Sequence, residues 1–395
     1  MVRKKNKEEA TEVVEIKLTL SEKQKRLDAI AADINSRMKK NIVGRLSDPI
    51  VQEQIKIEFI PSASPELNDA VGGGFPRGKM TIISGAADSG KTNLALNTIG
   101  ERMMKDPEFT ALWLESEFSL DYEHMIHTFN IDPDRFVYIP FERDRGGEEA
   151  LNQFIEILES GAVDFAVVNT LRALIPSTEI HKKMEDVDIA LSSRMNSRFM
   201  GKVIPLISKT GTALVVVQQR TTQIGGFGYG DNTTLSGGLR IRYQSMLTIN
   251  LRRGHVDAAK DPIGPEEGVK IIGRVEKNHC VNDRYPYVKF EYCAIYGKGI
   301  EKILSTLQLA VDQKVLRKAG SHIYWDDENG EPLYHWTGKN DFREFMLNNE
   351  DVFNKLTERV SQKHETLSED EVREIQKEER EEARAIGVPV SEPEE

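Results

Sequence analysis

The stretch GAADSGKT, Gly85 to Thr92, places a lysine and a hydroxyl side by side behind a loop bounded by glycines. It fits G-x-x-x-x-G-K-[ST], follows the apolar run MTIIS and leads into the helical run LALNTIGERMM, the context a phosphate loop requires. Gly85 and Gly90 let the backbone curl, so that N–H groups of the loop, Asp88 and Ser89 included, and the following helix N-terminus surround phosphate oxygens. Lys91 then reaches the β- and γ-phosphates of ATP, and the Thr92 hydroxyl takes Mg2+. A glycine-rich turn that merely caps a helix is the competing reading, and the strand and helix flanks weigh against it.

Hydrolysis asks for more than a grip on phosphate. The run AVVNTLRALIP, Ala166 to Pro176, has the position of the strand that supplies a metal-facing acid, and it ends in the amide of Asn169. An amide oxygen accepts a hydrogen bond from a metal-bound water but brings no charge, so nucleotide binding with slow turnover is expected. Asp164 stands too early, at the start of that strand. Two acids close the run ALWLESEF, Glu115 and Glu117, and either could orient an attacking water. For Glu117 the plain alternative is an acid favouring a helix N-terminus.

These residues need a scaffold. Strand-like runs MTIIS, ALWLE, RFVYI, DFAVV and ALVVVQ alternate with helical runs such as ALNQFIEILES, which implies a mainly parallel sheet with helices on both faces. Ligands bind at the carboxyl ends of such strands. MLTINLRR and YVKFEYCAIY alternate apolar and polar residues, as antiparallel strands added to the edge would. Ahead of this core, SEKQKRLDAIAADINSRMKK carries a capping-box pattern at Ser21 and Gln24 and an apolar stripe at Leu27, Ile30, Ala31, Ile34 and Met38. After Gly299, a helical run, a hairpin turning at Asn329-Gly330 and a further helical run, DFREFMLNNEDVFNKLTERV, form a small appendage. The expected division is an N-terminal extension over 1–60, an ATPase core over 61–299, a small α/β domain over 300–365 and an acidic tail over 366–395.

The 395 residues carry a net charge of −11. From Glu365 onward twelve acids face four bases, so most of the excess lies in the tail and the rest of the chain is nearly neutral. Whole-chain charge therefore does not exclude a local DNA-binding surface. No apolar run reaches the roughly 18 residues of a membrane span, and the basic start lacks an apolar h-region. With two cysteines, Cys280 and Cys293, a cytoplasmic chain with buried thiols is expected.

GGGFPRGKMTIISGAADSGKTNLAL, LWLESEFSLD, SGAVDFAVVNTLRALIPSTEI, VVQQRTTQIGGFGYG, VEKNH and IYGKGI, in this order and spacing, resemble the RecA-family recombinases from near Ser21 to about Val360. Length and acidic tail suit a phage-encoded, UvsX-like member as well as a bacterial housekeeping one, acting in the host or bacterial cytoplasm. The resemblance implies a RecA-type core that binds ATP and Mg2+ and polymerises on single-stranded DNA. The filament then pairs that strand with homologous double-stranded DNA and exchanges strands, helped by single-strand-binding and mediator proteins. It assigns catalysis to Glu117, γ-phosphate sensing to Gln219, adenine stacking from the neighbouring subunit to Tyr296 and subunit packing to the N-terminal helix.

DNA contact is implied for two segments. Residues 176–188, with Met184, fit the first DNA loop, and Arg194 follows it. Residues 219–238 fit the second, with Arg220, Ile224, Gly225, Gly226, Phe227, Gly237 and Gly238; a glycine-rich segment with apolar tips can follow a backbone and wedge between bases. On composition alone, this second segment reads equally as an ordinary flexible loop. Two positions depart from the family: Asn169 replaces the usual aspartate, and in VEKNH a lysine, Lys277, is followed by His279 where a second lysine would reach the neighbour's ATP. Two other functions stay open, a non-exchanging ATP-binding recombination mediator and a helicase or motor ATPase on the same core.

Overall fold

The computed structural model describes residues 18–180, 189–222, 233–235, 239–256, 267–280, 288–327 and 330–365. The chain divides into two units, one up to Ile57 and one from Glu58. In the first, helix α1 (Leu20–Met38) precedes the short α2 (Pro49–Ile55). The capping box lies one turn-fraction earlier than Ser21 and Gln24 suggest: Thr19 caps the helix, and the Glu22 carboxylate accepts from the Thr19 backbone N–H at 2.9 Å. A charged carboxylate is the stronger partner for that donor, which explains the shift. Asn35 holds the following turn by accepting from the Ile42 and Val43 N–H groups, and Arg45 pairs with Asp28 at 2.6 Å.

The second unit opens with β1 (Phe59–Ile60), α3 (Pro65–Val71) and β2 (Phe75–Pro76). There follow β3 (Met80–Gly85), α4 (Lys91–Lys105), β4 (Ala111–Glu115), α5 (Tyr122–Phe129), β5 (Phe136–Pro140), α6 (Gly147–Glu159), β6 (Phe165–Asn169), α7 (Ile189–Thr210) and β7 (Ala213–Thr222). Next come β8 (Thr233–Leu235), α8 (Leu239–Gln244), β9 (Leu247–Gly254), β10 (Gly268–Asn278), β11 (Lys289–Ile295) and β12 (Gly299–Ile300). In the large sheet the order is β12-β11-β10-β9-β3-β7-β6-β4-β5, with β8 on β7. Strands from β9 through β5 run parallel; β10, β11 and β12 add on antiparallel.

One expectation changes here. MLTINLRR, as β9, is not an antiparallel edge strand but pairs parallel with β3 and antiparallel with β10, so the sheet changes direction one strand later. Its first residues, Leu247 to Ile249, are all buried, as an interior strand covered on both faces should be.

Period-two alternation sends side chains to two separate cores. Ile83, Trp113, Val167, Val215 and Ile249 face α4 through Leu94 and Ile99. Their neighbours Ile82, Leu112, Val168 and Val216 pack on α6 and α7 through Leu151, Phe154, Phe199 and Val203.

A third core belongs to the C-terminal segment: α9 (Ile303–Asp312), β13 (Arg317–Ala319), β14 (His322–Asp326), β15 (Pro332–Thr337), α10 (Gly338–Asn348) and α11 (Glu350–Glu365). Trp336 meets Phe342 edge to face at 5.0 Å within it. The run read as one helical segment is two helices broken at Asn349, whose amide donates back to the Phe345 carbonyl. The β14–β15 hairpin forms as read; Asn329 lies outside the described residues, while Gly330 takes φ +82°.

Candidate active site

The carboxyl ends of β3, β7, β6 and β4 bring four stretches of the sequence together. Gly85 closes β3 opposite Gln219 on β7, and Asn169 on β6 lies between Val217 of β7 and Glu115 of β4. A side chain at Gly85 would press into the Leu251 carbonyl oxygen and Ser89 Oγ, so only glycine lets the loop leave the strand at this angle. Gly90 takes φ +84° at the N-cap of α4, and the loop residue Asp88 takes φ +57°. Lys91 is 8% exposed; its Nζ donates to the Ala86 carbonyl at 2.5 Å and to Ser89 Oγ at 3.3 Å. Burial lowers its pKa, against the opposing pull of Glu117 and Asp88. Thr92, half-buried, is the next residue of the helix.

The two acids after β4 have opposite surroundings. Glu115 is fully buried and saturated: it accepts from Trp113 Nε1 at 2.8 Å, from the Glu117 backbone N–H at 2.8 Å and from Asn169 Nδ2 at 3.0 and 3.3 Å. Glu117 is exposed, beside the loop, and its Oε1 accepts from Gln219 Nε2 at 3.1 Å. Of the two, Glu117 is the one with a face open to water. Neither Trp113 nor its bond to Glu115 stood out in the sequence, although a residue two positions back on a strand shares its face. Asp164 is used elsewhere, by Arg77 and the Thr110 N–H at the far end of β6.

Asn169 is fully buried, with Oδ1 unpartnered among the described residues. A buried acceptor without a donor carries a desolvation cost unless something fills the place. Together with the Gly85–Gly90 cradle and the Thr92 hydroxyl, it gives a donor set that fits a nucleotide phosphate with Mg2+: Thr92 as direct ligand, Asn169 through water. Such an ion would neutralise charge building on the β- and γ-oxygens.

Strand register separates the remaining candidates. Gly268 at the start of β10 pairs with Ile295 and lies toward the phosphate-loop end, because Gly254 pairs with Lys270 and Leu251 with Gly85. Tyr296, 58% exposed, follows directly, with its hydroxyl accepting from Arg253 Nη2 at 3.0 Å. Lys277 pairs with Thr248 near the other end, roughly 30 Å along β10. Its Nζ donates to the Arg242 and Tyr243 carbonyls, both at 3.1 Å, and desolvation lowers its pKa. His279 is exposed just beyond it. Tyr296 therefore sits at its own chain's phosphate-loop end, while Lys277 and His279 do not reach that end.

Arg220 turns back into the sheet, pairs with Glu276 and donates from Nε to Ser84 Oγ at 3.2 Å. The ion pair with Glu276 spans from β7 to β10, past β3 and β9, and is a contact that sequence distance hides. Arg194 is exposed on α7. Met184, Ile224, Gly225, Gly226, Phe227, Gly237 and Gly238 lie outside the described residues. Both cysteines are free thiols, and burial pushes that of Cys280 up to about 11. Among the described residues no helix is long and apolar enough to cross a membrane.

A family model of the RecA N-terminal domain matches residues 25–301. A Protein RecA of Mycobacteroides abscessus is 30% identical over 357 residues, 89% of this chain and 96% of that protein. One of Thermotoga petrophila is 30% identical over 314 residues, covering 79% of this chain and 84% of its own, and one of Saccharopolyspora erythraea is 29% identical over 347. With the phosphate loop, the parallel sheet and so long a match in one polypeptide, the chain belongs to the RecA family and is a DNA recombination protein and DNA-dependent ATPase.

Proposed function

We propose that the phosphate-loop end binds MgATP through Gly85, Asp88, Ser89, Gly90, Lys91 and Thr92, and that Glu117 is the base that orients water for hydrolysis. The observation that carries this is the contact between Glu117 and Gln219 at 3.1 Å, beside the loop. While Gln219 donates to it, the Glu117 carboxylate has one acceptor site fewer for water. A γ-phosphate within reach of the Gln219 amide would compete for that donor and release Glu117. Gln219 continues into the segment expected to meet DNA, so nucleotide state and DNA contact share one strand.

In this reading the chain assembles on single-stranded DNA with ATP bound, and the filament pairs with homologous duplex. Tyr296 serves the nucleotide of its own chain. Lys277 and His279, at the other end of the sheet, serve the nucleotide of the adjacent chain, and α1 packs its apolar stripe on a neighbour. Within its own unit α1 buries no side chain, and Leu27, Ile30 and Met38 are 66, 57 and 61% exposed, which supports a partner for that stripe. Single-strand-binding and mediator proteins are the expected helpers in loading, and Met184, Arg194 and the residues 224–227 and 237–238 the expected DNA contacts.

The test is joint-molecule formation between single strand and homologous duplex, with ATP turnover measured with and without the single strand. Exchange with DNA-stimulated turnover is expected. ATP binding without joint molecules would point to a non-exchanging mediator, and unwinding with vigorous turnover to a motor ATPase.

A further inference from the structure

Resting on the proposal that Asn169 faces the metal site, we propose that Glu115 and Asn169 work as one unit. In it, Glu115 is a positioning residue that fixes which atom of the amide faces the metal-bound water, and it supplies the negative charge the amide lacks.

The chemistry of the contact sets the amide's direction. An ionised carboxylate only accepts hydrogen bonds, so an amide against it must present its NH2 and turn its carbonyl oxygen away. Asn169 Nδ2 lies 3.0 and 3.3 Å from the two Glu115 oxygens, and Oδ1 is the atom left buried and unpartnered. Glu115 cannot turn aside, because the Trp113 indole N–H and the Glu117 backbone N–H hold it from two further directions. Asn169 and Glu115 pair across β6 and β4, and both extend the alternation of Val167 and Trp113, which face α4, the helix that begins with Lys91 and Thr92. The orphan acceptor thus lies on the phosphate-loop helix's side of the sheet, where a water on the ion would donate to it. Freed from Glu115, the same amide could rotate and offer N–H, which a metal-bound water does not accept well.

One consequence is unusual. Restoring an acid with Asn169→Asp would set two buried carboxylates about 3 Å apart, and like charges in that place are costly. The acid would become tolerable only when Glu115 gives up its charge and becomes the donor, as in Glu115→Gln with Asn169→Asp.

The experiment uses the full chain with no nucleotide and then with a fluorescent, non-hydrolysed ATP analogue titrated with Mg2+. Without nucleotide, Asn169→Asp is expected to lower the thermal midpoint by roughly 5 °C or more, and the double variant Glu115→Gln, Asn169→Asp to recover most of that loss. With the analogue, Glu115→Gln is expected to raise the Mg2+ needed for half-maximal binding roughly tenfold, as loss of an outer partner of a metal site does, while binding in EDTA changes little. The proposal is overturned if Asn169→Asp is as stable as the unmodified protein, if the double variant recovers nothing, or if Glu115→Gln leaves the Mg2+ requirement unchanged. Should the analogue bind to none of the chains, the phosphate-site reading fails, whereas the nucleotide-free stability cycle still decides the pairing of Glu115 with Asn169.

Discussion

At the phosphate-loop end of the large sheet, charge is sorted by burial: Glu115 is sealed under three donors, Glu117 is open, and Lys91 is held inward by the loop's own carbonyl. At the other end, Lys277 rests on two backbone carbonyls near the surface and His279 is exposed, with no phosphate loop of their own within reach. One end is a nearly complete phosphate-binding device. In the proposed reading, Lys277 and His279 at the other end complete a site on an adjacent chain, so nucleotide binding and nucleotide turnover should respond differently to changes at the two ends.

The largest effect belongs to Lys91→Ala, expected to cut ATP turnover roughly a thousandfold, because it removes the cation preorganised for the phosphates. Next, Glu117→Gln should cost roughly a hundredfold in turnover with analogue binding and thermal stability retained. Measuring both variants by single turnover and by melting would show it; a Glu117→Gln protein with full turnover would transfer the catalytic role away from the open acid.

Lys277→Ala sharpens the contrast between ends. It should reduce DNA-stimulated turnover roughly tenfold while the dilute, DNA-free chain binds analogue within about twofold of the unmodified affinity, since only an adjacent chain uses this lysine. Mixed with Lys91→Ala chains, which have an intact Lys277, it should regain part of its activity. No regain on mixing, or weak binding by the dilute chain, would place Lys277 in its own site instead.

No effect on turnover is expected at Glu66, in the first turn of α3, whose carboxyl accepts from Ser64 Oγ at 2.8 Å and bears on stability alone. Burial raises its pKa from 4.5 to about 7, with Ser305 opposing the shift. The folded protein therefore keeps a proton that the unfolded chain releases from about 4.5 upward. That contribution is fully present below 4.5 and is lost as pH rises through about 7, a change of at most roughly 3 kcal/mol. Glu66→Gln should flatten melting temperature against pH across this window without moving nucleotide affinity. An unchanged slope would mean that Glu66 ionises normally in the folded protein.

Much of the core was legible before any coordinates. GAADSGKT carries its function in eight adjacent residues, and β4 begins and ends where ALWLE does, because apolar runs between polar breaks report strands locally. The long strand β10, by contrast, is legible only in its last residues, VEKN, since VKIIGRVEKN interrupts its apolar pattern with glycine and charges although it lies between β9 and β11. The sequence leaves the α1 cap ambiguous, because two overlapping S/T-x-x-E/Q patterns, Thr19 with Glu22 and Ser21 with Gln24, satisfy the same local rule.

By itself the sequence determined the phosphate loop, the alternation of strands with helices, and the family they belong to, all carried by neighbours along the chain. Tertiary structure alone decided that Glu115 is buried and Glu117 open, that Asn169 gives its amide to Glu115, that Arg220 turns to Glu276, and that Tyr296 and Lys277 lie at opposite ends of the sheet. Each of those facts depends on the register of strands far apart in sequence. A one-residue slip would exchange the faces of a strand, and no local pattern of residue types records which register was taken.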